Sequence, residues 1–466
     1  MSRRESNQQP WLLERRAFLK LGAGFGLTSM LLGWTDPTQL PLLGLAKAAG
    51  TTVTTRNTAR NCLMIMLRGG PSHVDTFDLK VGKWTPKTFT PENVSAGYLW
   101  PKGLMPGLAA RSDKFAIIRS LQHQELVHER AEYYAETGRR LNPGLRAEIP
   151  HIGSVIALEQ EAKRSASDIF PAFAMFNLGS YTSNGFLSAN YAPLQLNKPE
   201  IGISNLLPIG GLSSFERRHT TLDLLNQVNG TELAEVRQPI ALLQERARKM
   251  MQEPVSGTVF NVTTEDKTRY GINPFGVSLA VARNLLKADR GTRFIEVDQY
   301  GWDHHSYIYG GTDSAYNLFI QARELDTGLS ALIDDLAAAP GSVPGKSVLD
   351  ETIIVVTGEF GRTVGELTRA LGRDHYPYAF SALFLGGGVK GGRVIGATDD
   401  NGGGIVDFGW EHKRAIYFPD VVTTIYSAMG IDWTKTIGGT PSGRVYKYTD
   451  IEPVVDVESH EIAPLF

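Results

Sequence analysis

Residues 353–376, IIVVTGEFGRTVGELTRALGRDHY, decide how the rest of the chain is read. Ile353 to Val356 are four apolar, β-branched residues, which suit a strand covered on both faces. Thr357-Gly358 ends the run, and Glu359, Arg362, Thr363, Arg373, Asp374 and His375 follow at once. In open α/β sheets, ligands sit beyond the carboxyl ends of the strands. An acid, two arginines and an Asp-His pair at such an end point to a site for an anion, a metal, or both. Solvated loop charges are the plainer alternative.

The same pattern of apolar strand and polar loop occurs twice more. Cys62 to Leu67 reads as a buried strand and is followed by RGGPSHVDTFD (68–78). Gly69 and Gly70 permit a tight turn there, and Ser72, His73, Asp75 and Asp78 gather where a ligand would lie. Ser72 and His73 are adjacent and point apart in extended chain, which weakens a nucleophile–base reading. Arg293 to Val297 is a third strand, leading to Asp298 and then GWDHH (301–305). Carboxylate and imidazole donors in such a cluster suit zinc, manganese or iron. His304 and His305 alternate in direction, so one binds and the other packs or faces a substrate.

The intervening chain alternates strands and helices. Strands are expected at 115–118, 170–176 and 381–385, and helices at 128–140, 151–163, 222–251, 276–288, 314–336 and 418–429. Gly138 stops the 128–140 helix, whose N-terminal N–H groups, beside His128, offer an anion site. The expected fold class is α/β: a three-layer sandwich with helices on both faces of a mostly parallel sheet. Residues 179–203 are rich in Ser, Asn, Tyr and Gly without a period; with the helix that follows they form an insertion around 179–252 that reads as a lid.

Composition narrows the function classes. Lys and Arg total 47 against 49 Asp and Glu in 466 residues, a net charge of -2, which excludes the basic footprint of a nucleic-acid binder. The single cysteine, Cys62, rules out an internal disulfide and reads as a buried thiol. Residues 1–48 read as an export signal: Arg15-Arg16-Ala17-Phe18-Leu19-Lys20 is a twin-arginine motif, and Ala46-Lys47-Ala48 is a small-x-small cleavage site. The Gly-rich apolar run between them falls short of the ~20 residues of a membrane span. No stretch after residue 48 is apolar enough for one. The expectation is a mature chain of 49–466 in the periplasm or on the cell surface.

Six motifs together carry a family resemblance: LRGGPSHVDTFD (67–78), HERAEYYAETG (128–138), GWDHH (301–305), TGEFGRT (357–363), GRDHYP (372–377) and GGGVKGG (386–392). As a set they resemble the bacterial family called domain of unknown function 1501, within the alkaline-phosphatase-like superfamily that includes sulfatases. The resemblance implies an alkaline-phosphatase-like fold and a divalent metal ion such as zinc, held by Asp303, His305 and His375 with Glu359 as a further ligand. It also implies a second metal site and a Ser, Thr or modified Cys nucleophile, and here this sequence departs from the pattern. The first strand runs into Arg68-Gly69-Gly70, Glu359-Phe360 stands where an Asp-His pair is usual, and His128 occupies the nucleophile's position ten residues before Gly138. On this reading His128 is the nucleophile or acid–base, and Arg68 or Arg362 grips the oxygens of an anionic small-molecule or glycan ester. The rival expectation is a catalytically silent exported binding or assembly protein that keeps the fold and at most one metal.

Overall fold

The computed structural model describes residues 53–177, 183–204, 206, 210–228, 234–310, 316–450 and 457–466. The twin-arginine motif and the cleavage site therefore lie outside the described residues. Eight strands form the central sheet: β1 (Asn61–Leu67), β2 (Phe115–Leu121), β3 (Phe173–Phe176), β4 (Leu194–Leu196), β5 (Phe294–Gln299), β6 (Thr352–Thr357), β7 (Phe380–Leu385) and β8 (Arg393–Ile395). Their order is β8-β2-β7-β6-β1-β5-β3-β4. β1 lies between β5 and β6 and is parallel to both. β7 runs antiparallel to β6 and β2, and β8 pairs with β2 in parallel, so the sheet is mostly parallel with one reversed strand. The apolar run at Ile353 is β6, buried along its whole length as a strand covered on both faces must be.

Alternation along β1 divides the core. Leu63, Ile65 and Leu67 face one side, where they pack in the cluster that holds helices α3 (Pro274–Ala288) and α4 (Leu318–Ala338) through Leu279, Leu325 and Leu329. Cys62, Met64 and Met66 face the other, with α1 (His128–Thr137), α2 (Ile152–Gln160) and α5 (Phe418–Ala428) supplying Tyr134, Val155, Val421 and Ile425. This is the expected three-layer α/β sandwich. Burial, with Glu296 nearby, pushes the Cys62 thiol far above its ordinary range, so it stays an inert core thiol.

Several elements differ from the sequence reading, among them the edge strand β8 and a short helix at Thr264–Tyr270, neither of which was expected. Leu194–Leu196, expected as loop, joins the sheet edge in parallel with β3. Three residues, partly exposed, are too few to show a period. The single helix expected at 222–251 is two, Gly211–Val228 and Ala234–Gln252, and residues 229–233 lie outside the described residues. Arg246 of the second helix bonds the Asn190 carbonyl at 3.1 Å, which sets this stretch beside β4. No helix among the described residues is long and apolar enough to cross a membrane.

Candidate metal centre

β1, β5 and β6 end level with one another, Met66 opposite Asp298 and Thr357. Their loops therefore leave the same edge of the sheet and meet. Gly69, at φ 108°, is pressed so closely against the loop after β5 that a Cβ would lie 2.3 Å from the Asp303 amide nitrogen. Its own N–H donates to Glu359 Oε1 at 2.8 Å. Only glycine allows the first loop to bridge the other two.

Four side chains converge where the loops meet. One ligand atom each from His128, Asp303, His305 and His375 lie within 4.8 Å of one another. Asp303 Oδ1 is 3.0 Å from His305 Nε2, 3.5 Å from His375 Nε2 and 3.4 Å from His128 Nε2. The far nitrogen of each ring faces an oxygen. His375 Nδ1 lies 2.7 Å from the Leu126 carbonyl, His128 Nδ1 lies 2.7 Å from Glu359 Oε1, and His305 Nδ1 faces Asp374 at 3.5 Å. A carbonyl only accepts, so His375 carries its proton on Nδ1 and presents a lone pair on Nε2. Glu359 favours the same tautomer in His128, whereas His305 lies nearer a carboxylate through Nε2, 3.0 Å from Asp303, than through Nδ1, 3.5 Å from Asp374. His305 and His375 face each other Nε2 to Nε2 at 2.9 Å, a contact that a shared proton bridges and that a bound cation would replace. His128 Nε2 is buried without a hydrogen-bond partner and completes the ring of donors. Metal–ligand bonds of ~2.0–2.2 Å place ligand atoms roughly 3–4 Å apart, the spacing seen here.

Electrostatics also favour positive charge in this pocket. Burial would lower the His128 imidazole, but Asp303 and Glu359 outweigh it and push it up to about 9. Burial would raise the Asp303 carboxyl, yet His128, His375 and Arg362 hold it well below the usual carboxylate range. Burial lowers His305. In the metal-free protein the proton on His128 occupies a place suited to a cation.

The other sequence candidates have different partners from those expected. Arg68, expected to grip substrate oxygens, is buried and paired with Glu136 at 2.6 Å, Glu296 at 2.9 Å, Asp298 at 3.1 Å and Glu132 at 3.5 Å. Four carboxylates around one guanidinium leave it committed to the interior. Burial and neighbouring acids push Asp298 well above its ordinary value and Glu132 up to about 7. Arg362, also expected at the substrate, is wholly buried; it donates to Asp303 at 2.5 Å, to the Gly70 carbonyl at 2.9 Å, to the Arg373 carbonyl at 3.2 Å and to the Gly69 carbonyl. It is a positioning residue for Asp303. Glu359, expected among the ligands of Asp303, His305 and His375, instead lies behind His128. With His128 and Glu132 it forms a second group of potential ligands. His304 is buried against Trp302, and burial pulls it down to about 4, so the ring that reaches the cluster is His305.

The polar residues after β1 form a structural network. Ser72 donates to Asp75 at 2.6 Å, Asp75 pairs with Arg373 at 2.7 Å, and His73 Nε2 lies 2.9 Å from the Gly402 carbonyl. Sequence reasoning missed the pairing of His128 with Glu359, 231 residues apart, and the carbonyl partner of His375. Glu132 was legible, since it stands one turn after His128 on the same helical face.

A family model described as "Protein of unknown function (DUF1501)" matches residues 59–457. No curated protein matches the chain. Among solved structures, the chain is similar to the lipoteichoic acid synthase LtaP from Listeria monocytogenes at 12% identity and a TM-score of 0.36, covering 81% of this chain and 74% of that one. A protein of the alkaline phosphatase superfamily from Vibrio parahaemolyticus matches at 12% identity and a TM-score of 0.38, over 91% and 88%. A phosphonate monoester hydrolase from Silicibacter pomeroyi matches at 12% and 0.34, over 87% and 76%.

Proposed function

The chain belongs to the DUF1501 family, and from that premise we propose that it is an exported, metal-dependent hydrolase of an anionic sulfate or phosphate ester. The observation that carries the proposal is the convergence of the His305 and His375 Nε2 atoms on Asp303, with their Nδ1 atoms turned to outer oxygens. Those three would hold a divalent ion, zinc among the candidates, and the ion would supply Lewis-acid charge for the ester oxygens. His128 stands at the remaining side with Glu359 behind it, a carboxylate–imidazole pair in the arrangement of a general base. Its Nε2 takes a proton from attacking water, while Glu359 fixes the tautomer and stabilises the imidazolium. A cation in the pocket would repel the proton that otherwise resides on His128 and ready it for that role. Export rests on Arg15-Arg16 and Ala46-Lys47-Ala48.

One observation favours the rival reading. If His128 Nε2 is itself a ligand, the four-residue set is closed, and closed tetrahedral sites are structural. The protein would then be a silent exported binder that keeps one metal. His128→Ala separates the two. In a hydrolase, the zinc-loaded variant keeps its metal and loses turnover of sulfate and phosphate monoesters, whereas in the silent protein it loses the metal. Absence of turnover by the metal-loaded wild-type chain across both ester classes would overturn the hydrolase.

A further inference from the structure

The amino ends of β1, β5 and β6 border a second polar space, at the edge of the sheet opposite the metal centre. Arg60 directly precedes β1, Arg293 precedes β5 and Glu351 precedes β6. With Lys163, which closes the turn after α2, and Lys346, in the loop leading to β6, they line a cavity of about 370 Å³. Four cations from four separate segments thus surround one space, in a chain whose net charge is -2. The length of β1, at ~3.3 Å per residue, puts roughly 20 Å between this cavity and the metal centre. A small ester bound at Asp303 does not span that distance.

The acids beside the cavity are already engaged. Glu351 accepts from the Ser342 N–H at 2.8 Å, the Ser342 hydroxyl at 2.9 Å and the Val343 N–H at 2.6 Å. Asp289 is shared between Arg60 at 3.0 Å and Arg293 at 2.8 Å, and Arg293 also faces Asp168 at 3.9 Å. Lys163 and Lys346 are exposed and have no ion-pair partner among the described residues. Like charges set around one cavity repel one another, and an anion entering it would relieve that repulsion. We propose that this cavity binds a compact polyanion carrying two or more phosphate-type groups. Its volume lies at the small end of ligand sites, which fits a compact anion. Two lysines and two arginine forks outnumber what a single dianion would neutralise. Guanidinium planes suit the paired oxygens of a phosphate, and the lysines add point charge. The assignment is independent of the hydrolase reading, because it uses none of the residues of the metal centre.

Calorimetry on the purified, metal-free chain would compare pyrophosphate, inorganic phosphate and citrate. A single pyrophosphate is expected to bind, roughly tenfold more tightly than phosphate because it engages more of the cations at once, and to weaken with added salt. Lys163→Gln combined with Lys346→Gln should weaken pyrophosphate roughly tenfold or more and leave thermal unfolding and zinc affinity unchanged, since both side chains are exposed. Lys267→Gln combined with Lys447→Gln, which removes the same charge from exposed positions elsewhere, should leave pyrophosphate binding at the wild-type value. So should His128→Ala, which alters only the metal centre. No binding of pyrophosphate, equal affinity for phosphate and pyrophosphate, tighter binding of citrate, binding lost in His128→Ala, or equal weakening by the two lysine pairs would overturn the proposal.

Discussion

Replacing Arg362 by lysine tests how the carboxylate of the cluster is held. The guanidinium is wholly buried and reaches three backbone carbonyls as well as Asp303. Lysine keeps the charge but loses the planar fork, so its compact head cannot reach all four acceptors. Two carbonyls losing a charged donor, at ~1.5–3 kcal/mol each, imply a loss of roughly 3–6 kcal/mol. Unfolding entropy for a chain of ~400 residues is about 0.8 kcal/mol per kelvin, so the melting temperature should fall by roughly 4–7 °C. Asp303 released from its support should also bind zinc roughly 10- to 100-fold more weakly. Scanning calorimetry of the metal-free protein and zinc competition against a chelating dye measure the two effects. If Arg362 instead grips substrate oxygens, Arg362→Lys would raise KM and leave melting temperature and zinc affinity at wild-type values. That outcome would refute the positioning role.

Two further predictions follow from the same geometry and one from the sequence. His128 is raised to about 9 in the metal-free protein, so its proton adds stability that is complete below about 6.5 and lost as pH rises through 9. A cation must displace that proton, so zinc affinity should climb by about tenfold per pH unit between 7 and 9, with close to one proton released; calorimetry in two buffers that shows neither would contradict it. Gly69→Ala places a Cβ 2.3 Å from the Asp303 amide at φ 108°, and should cost at least ~1–3 kcal/mol and most of the bound zinc; a variant with native melting temperature and zinc content would contradict it. Lysine at both Arg15 and Arg16 should trap uncleaved precursor inside the cell, as fractionation and immunoblotting would show, whereas normal export would remove the twin-arginine proposal.

What could be read in the sequence depended on how local its cause was. Ile353–Val356 announced a doubly covered strand because burial on both faces removes polar residues from the run, and the polar loop after it marked the edge where the site lies. Asp303, His305 and His375 were visible as ligand-type residues after strand ends. The two arginines were misread because charge alone does not tell which partners a guanidinium finds. Arg68 meets acids from α1 and β5, and Arg362 turns back onto the carbonyls of Gly69 and Gly70. The Glu359–His128 pairing depends on two elements meeting in three dimensions, and no spacing encodes it. The edge strand at Leu194 was lost because three residues carry no period.

Anomalous diffraction at the zinc edge, from crystals of zinc-loaded mature protein, tests the metal centre most directly. A single strong peak is expected within ~2.0–2.2 Å of His305 Nε2, His375 Nε2 and an Asp303 carboxylate oxygen. No peak among those atoms, or a peak confined to Glu132 and Glu359, would contradict it.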